Sequence, residues 1–186
     1  MAHVQMNEQE ARSQQVFTML MWALSYPGRI QPLRGMGLQP FLNIGETLID
    51  LETSYYTAHA ELNAQLTGLG ARSKPPELAY YQFYPELNES NLDTLRNSPI
   101  GSYLSPDDSA TLIIGAEIGA GCPLLLTGPG IQTETSLLIG GIPPAFWQLR
   151  KEKNRYPLGW DIFLVGNDQL VGLPRTTDVE VFEWRM

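Results

Sequence analysis

One cysteine, two histidines and three lysines occur in 186 residues, and these shortages exclude several chemistries before any motif is weighed. Cys122 stands alone, so no internal disulfide can form, which suits a reducing compartment. A zinc site usually draws about three or four ligands from His and Cys. Here His3, His59 and Cys122 are scattered, and His3 falls in a terminus expected to fray. Intrinsic zinc chemistry is therefore not expected. A Ser-His-Asp arrangement would have to use His59, with no Gly-x-Ser-x-Gly elbow to accompany it, and a half-buried place at a strand end accounts for His59 more simply. Pyridoxal phosphate needs a lysine amine held in a pocket. Lys74 precedes Pro75-Pro76 in a loop, and Lys151 and Lys153 belong to the charged run "RKEKNR", so no residue is placed for that cofactor.

Positive charge is also scarce. Twelve basic residues against twenty acidic ones leave a net charge of -8, which offers no field to attract nucleic acid or an anionic membrane. Nucleotide fingerprints are missing: "TGPGIQ" lacks a third glycine, and "GAEIGAGC" lacks the Lys-Ser/Thr of a phosphate-cradling loop. No apolar run reaches ~18 residues, and "MAHVQMNEQEARSQQ" lacks the basic-then-apolar pattern of a secretory leader. A cytoplasmic protein is expected, with neither membrane nor nucleic acid as partner.

What is present is enough for a core. With 43% hydrophobic and 17% charged residues, the chain is expected to fold as one domain over residues 1–186, burying roughly 70% of its unfolded surface. "NEQEARSQQVFTMLMWALSYPG" predicts a helix opened by an Asn7–Glu10 capping box and closed at Pro27-Gly28, more apolar than a solitary surface helix requires. Strand and helix then alternate. "RIQPL", "SYYTAHA" and "ELAYYQFY" predict strands, interleaved with helices over "QPFLNIGETLIDLETS", striped by Leu42, Leu48 and Leu51, over "ELNAQLTGLGARS", and over "ESNLDTLRNSPIG", capped by Ser90. "SATLIIGAEI" and "CPLLLTGPGI" are nearly unbroken apolar runs of the kind found where both faces of a sheet are covered. "PPAFWQLRKEKNRYP" predicts a helix whose basic end, Arg150 to Arg155, is solvated and complements the macrodipole. The pattern predicts an α/β fold: one three-layer αβα domain with a mixed central sheet and helices on both faces.

The hairpin "WDIFLVGNDQLVGLP" carries the main candidate site. Trp160, Ile162 and Leu164 fall on one face and Phe163 and Val165 on the other, so the first strand is central. A two-residue Asn167-Asp168 turn sets Asp161 opposite Pro174 and diagonal to Arg175. Beyond the proline, Thr177, Val179 and Val181 share one side and Thr176, Asp178 and Glu180 the other, with Arg175 starting the apolar side. Two roles for Arg175 follow. It can pair with Asp161 and fix strand register, or it can fork onto a phosphate or phosphonate while Thr176 and Thr177 donate hydroxyls.

The segments "FTMLMWALSYPGRIQPL", "LLLTGPGI" and "YPLGWDIFLVGNDQLVGLPRTTDVEV", in this order, resemble PhnH, a subunit family of the bacterial carbon-phosphorus lyase system for phosphonate use. The resemblance spans nearly the whole chain, with "S-x-PG", "LTG-x-GI", "PLG-x-D" and "PRTT-x-VE" its specific part. Trp160 and Asp178 depart from familiar members. The resemblance implies a fold similar to the large domain of pyridoxal phosphate-dependent transferases, without that cofactor. It also implies a homodimer when isolated and association with the PhnG, PhnI, PhnJ and PhnL proteins. It places the chain in the displacement of adenine from MgATP by an alkylphosphonate, giving ribose 1-phosphonate 5-triphosphate. An accessory, docking role is expected, with no cofactor held by this chain and MgATP as substrate of the complex. The alternative is a direct contribution to a nucleotide-phosphonate site through Arg175, Thr176 and Thr177, with Asp161 orienting the arginine and Thr127, Gly128 and Gly130 offering a turn with free N–H groups.

Overall fold

A computed structural model describes residues 7–182; His3 lies outside them. Helix α1 (Glu8–Ser25) opens with the expected capping box: Glu10 N donates to Asn7 Oδ1 at 2.8 Å, and Asn7 N donates to Glu10 Oε2 at 3.0 Å. The other helices are α2 (Gln39–Leu48), α3 (Ala60–Thr67), α4 (Glu89–Arg96) and α5 (Pro144–Lys153). Strands β1 (Gln31–Pro32), β2 (Ser54–Tyr56), β3 (Arg72–Ser73), β4 (Tyr81–Tyr84), β5 (Thr111–Gly115), β8 (Asp161–Val165) and β9 (Gln169–Leu173) form one seven-stranded sheet in the order β1-β9-β8-β5-β4-β2-β3. The five strands from β8 to β3 run parallel, and β9 and β1 add antiparallel pairings at the other edge.

Both parities of the central strands are apolar because each face has its own core. Phe163 and Val165 join Tyr55, Phe83 and Ile113 under α1, α2 and α3. Trp160, Ile162 and Leu164 join Leu112 and Ile114 on the opposite face, under α4 and α5. The hairpin register is the predicted one, with Ile162 opposite Leu173 and Val165 opposite Leu170.

The second face corrects one expectation. The apolar run before "TGPG" is not in the central sheet. It belongs to a separate antiparallel sheet, ordered β10-β6-β7, of β6 (Glu117–Thr127), β7 (Thr135–Gly140) and β10 (Asp178–Val181). Leu124, Leu126, Leu137 and Ile139 from this sheet close the same core as α4 and α5. One covering layer is thus part helix, part sheet. The apolar run alternates, Leu124 and Leu126 being buried and Leu125 only half-buried, as a strand covered on one face should.

Smaller corrections follow the same local physics. Helix α2 stops at Leu48, so Leu51 is exposed, while Leu42 and Leu48 pack half-buried against the core beside the buried Phe41 and Ile44. His59 is an exposed N-cap whose Nδ1 accepts from Leu62 N, not a half-buried strand end. Asn88, not Ser90, caps α4; its N–H donates to Asn91 Oδ1 at 2.9 Å. Arg150 is buried and not solvated: it follows Phe146 by four residues and Trp147 by three, on the helix face that packs inward.

The two sheets are joined by the "PRTT" segment. β9 leaves the large sheet at Leu173, a turn closes with Thr177 N donating to the Pro174 carbonyl at 2.9 Å, and β10 enters the small sheet opposite β6. Two glycines let the backbones meet there. A Cβ on Gly172 would lie 2.5 Å from the Ala23 backbone of α1, and one on Gly128 would lie 2.7 Å from the Thr176 carbonyl oxygen.

Candidate functional site

At this corner the predicted pair forms. Arg175 N donates to Asp161 Oδ1 at 2.8 Å, Nη2 lies 2.6 Å from Oδ2, and Nε reaches both carboxylate oxygens at 3.3 and 3.2 Å. The remaining amino group, Nη1, donates to the carbonyls of Pro106 and Pro157. The side chains are 17% and 21% exposed, so the pair is shielded without being sealed. The guanidinium fork is filled by the protein itself, and the strand end, the Ser105–Asp108 loop and the Tyr156-Pro157 turn are tied to one group.

The other predicted residues divide. Thr127 pairs opposite Asp178, and Gly128 lies against Thr176 and Thr177, so the "LTG" and "PRTT" segments do meet. Gly130 does not join them: its Cα faces the Ser25 carbonyl and the Pro27 ring at the end of α1, and the turn is closed by Ile131 N donating to Gly128 O. Gly128 is thus engaged in close packing against the "PRTT" segment, and Gly130 against the end of α1. Thr127 and Thr177 line a cleft of about 150 Å³ whose wall does not include Arg175. The proposed grip of Arg175, Thr176 and Thr177 on one anion is not assembled.

Sequence reading missed the residue that does share the cleft with the threonines, Arg150. It is 3% exposed, and its Nη2 donates to the Pro174 carbonyl at 3.0 Å. Its Nε is buried with no hydrogen-bond partner among the described residues, and the same holds for Thr177 Oγ1. Burial lowers the Arg150 pKa to about 10, against an opposing effect of Asp178 and Asp161, so the group remains a cation at neutral pH. The spacing Phe146, Trp147, Leu149, Arg150 was the available signal, outweighed by the basic run in which Arg150 sits.

A larger cleft of about 500 Å³ opens at the carboxyl ends of β5 and β8, where open α/β sheets commonly bind ligands. Glu117 is the one ionisable residue on its wall, with Gly35, Gly115, Gly166 and Asn167 among the rest. No set of catalytic groups converges there among the described residues. Nor does any cluster of three or more His, Cys, Asp or Glu side chains suited to a metal occur among them. No helix is long and apolar enough to cross a membrane among the described residues.

Comparison with known proteins agrees with the motif resemblance. The chain is 36% identical over 176 residues to a protein of Stutzerimonas stutzeri named putative C-P lyase subunit protein HtxG, covering 93% of this chain and 88% of that one. It is 28% identical over 184 residues to a protein of Rhizobium meliloti (strain 1021) named alpha-D-ribose 1-methylphosphonate 5-triphosphate synthase subunit PhnH, covering 90% of each. Residues 5–180 match the family described as bacterial phosphonate metabolism protein (PhnH), spanning the large sheet, the small sheet and the corner between them. The chain belongs to the PhnH family.

Proposed function

We propose that the chain is an accessory subunit of a carbon-phosphorus lyase complex, supporting the formation of ribose 1-phosphonate 5-triphosphate from MgATP and an alkylphosphonate. The names of its two relatives support the system. The observation that carries the accessory role is the filled fork of Arg175: the most anion-like motif of the sequence is spent on Asp161 and two carbonyls, and so joins strands instead of gripping substrate.

Association with PhnG, PhnI, PhnJ and PhnL, and a homodimer when isolated, fit the outer face of α1, where Phe17, Met21 and Trp22 are each about half exposed. We expect the parallel strands and their helices to overlay on the large domain of pyridoxal phosphate-dependent transferases. Use of that cofactor is not expected: Lys74 and Lys151 are exposed, and Lys153 Nζ donates to the Arg96 carbonyl at 2.7 Å. The work is placed in the cytoplasm with the nucleotide it consumes.

The test is reconstitution. A complex assembled without this chain should lose formation of the ribose phosphonate product, and the isolated chain should form none from MgATP and methylphosphonate. Full activity without the chain, or turnover by the chain alone, overturns the accessory reading. A direct role in ligand binding has one observation in its favour, the cleft that Thr127, Arg150 and Thr177 line together.

A further inference from the structure

We infer that the two turns tied together by Arg175, with the cleft at the ends of α4 and α5, form a docking surface for a different protein chain that presents an acidic segment carrying an apolar side chain. The inference rests on the reading that this chain works within a complex, and it names where and by what chemistry one partner is held.

Exposed loop tips usually carry small or polar residues. Here one tip carries Tyr103 and Leu104, 77% and 96% exposed, and a second carries Tyr156, 76% exposed. Scattered singly, such side chains would be ordinary, but the two turns adjoin. Gly159 N donates to the Ile100 carbonyl and Trp160 Nε1 to the Pro99 carbonyl, each at 3.0 Å, which joins their bases. Arg175 Nη1 then reaches the carbonyl of Pro106 in one turn and that of Pro157 in the other. Each turn also closes on itself: Ser102 N donates to the Ser105 carbonyl at 3.0 Å, and Arg155 and Leu158 exchange backbone bonds at 3.0 and 2.9 Å. The apolar tips are therefore fixed before a partner arrives, which lowers the ordering cost of binding.

Charge on the adjoining cleft selects the partner. This cleft, of about 530 Å³, is walled by Tyr103 and Leu158 together with Arg96, Lys153 and Arg155, and Glu152 is the one carboxylate on its wall among the described residues. Three cations against one carboxylate make a positive island on a chain of net charge -8. Arg96 and Lys153 end α4 and α5, where helix dipoles favour cations, and Arg96 lies 3.9 Å from Glu152. Arg155 lies beyond the helix and is exposed, with no ion pair or side-chain hydrogen bond among the described residues. Its charge is left for a partner.

Other occupants fit less well. Nucleic acid and anionic lipid are repelled by the overall charge. A small molecule in the cleft would leave Leu104 uncovered, because that side chain is not on its wall. A second copy meeting this surface about a two-fold axis would set its positive island against itself. An acidic segment of another chain satisfies the cations and covers the apolar tips.

The experiment uses the full chain and the other subunits of the complex, purified without it. Leu104→Ser and Arg155→Glu each change an exposed side chain, and each should weaken association by about tenfold with unchanged thermal stability. High salt should weaken association of the wild type more than that of Arg155→Glu. With photo-reactive benzoylphenylalanine in place of Tyr103, a cross-link is expected to a peptide of another subunit in which Asp or Glu stands beside an apolar residue. Unchanged association of both variants, or a cross-link to a peptide without carboxylates, overturns the inference and leaves the accessory reading intact. A chain that binds no other subunit overturns both. Loss of self-association in the variants, or binding to phosphatidylglycerol vesicles that the variants lose, assigns the surface to a second copy or to a membrane and overturns the inference.

Discussion

Asp161 and Arg175 hold each other across the open end of the β8–β9 hairpin, Nη2 to Oδ2 at 2.6 Å, with the arginine backbone N–H bonded to the same carboxylate. Removing one partner leaves the other partly desolvated, together with the Pro106 and Pro157 carbonyls that Arg175 serves. Arg175→Ala should cost about 2 kcal/mol, less than the cost for a sealed pair because each side chain is about a fifth exposed. Urea unfolding of the single variants and of the double variant with Asp161→Ala measures the coupling. A fully stable Arg175→Ala protein would contradict the joint described here.

Glycine substitutions at the sheet junction should separate crowding from backbone conformation. Gly172→Ala places a methyl 2.5 Å from the α1 backbone at a residue without positive φ, and should cost about 2 kcal/mol by overpacking alone. Gly128→Ala adds a clash with the Thr176 carbonyl to a φ of +128°, and should cost more. Gly37→Ala has a φ of +59° with open space around it, and should cost about 1 kcal/mol, the conformational penalty only. Thermal and urea denaturation of the three variants give the ranking.

Alkaline stability is set in part by Tyr84. Burial, with a smaller contribution from Tyr56, raises its pKa well above the ordinary tyrosine range, while its hydroxyl donates to the buried Gln82 Oε1 at 2.9 Å. The folded state therefore keeps this proton where the unfolded chain releases it. Its contribution is fully present below about pH 10 and is lost as pH rises beyond that value. Unfolding followed by urea midpoint should become easier from about pH 10 upward, with a shallower slope in Tyr84→Phe.

The exposed face of α1 offers a test of association. Phe17→Ser and Met21→Lys should each change the stability of the isolated fold by no more than about 0.5 kcal/mol, because both side chains are about half exposed. They should weaken self-association in sedimentation and reduce co-purification with partner subunits. Unchanged association would move the docking surface elsewhere.

Much of this architecture was legible in short-range pattern, and the reason is visible in particular residues. Counting outward from Asn167-Asp168 put Asp161 beside Arg175 because antiparallel register is fixed by the turn. The two-sided character of β8 was plain because Phe163 and Leu164 are both apolar and feed different cores. The small sheet was not legible: alternation within "CPLLLTGPGI" shows a strand but not which sheet it joins, and β7, "TSLLIG", passed unnoticed between turns. Arg150 was obscured because its charge suits a helix end, although its position relative to Phe146 turns it inward. Of the candidate residues, Thr127 and Thr177 line one cleft together with Arg150, whereas Arg175 pairs with Asp161.

The edge position of β1 has a consequence for how the molecule is made. Gln31 and Pro32 find their strand partners only at Gln169 and Leu170, and α1 packs on the Gly172 backbone of the same strand. β10, the last strand among the described residues, completes a sheet that begins at Glu117 in β6. During synthesis α1 can meet α2 early, but the part of its buried face that packs on β9 stays open until that much later strand is made. Such long-range closure predicts slow folding, with the β9 side of α1 open until the β8–β9 hairpin forms.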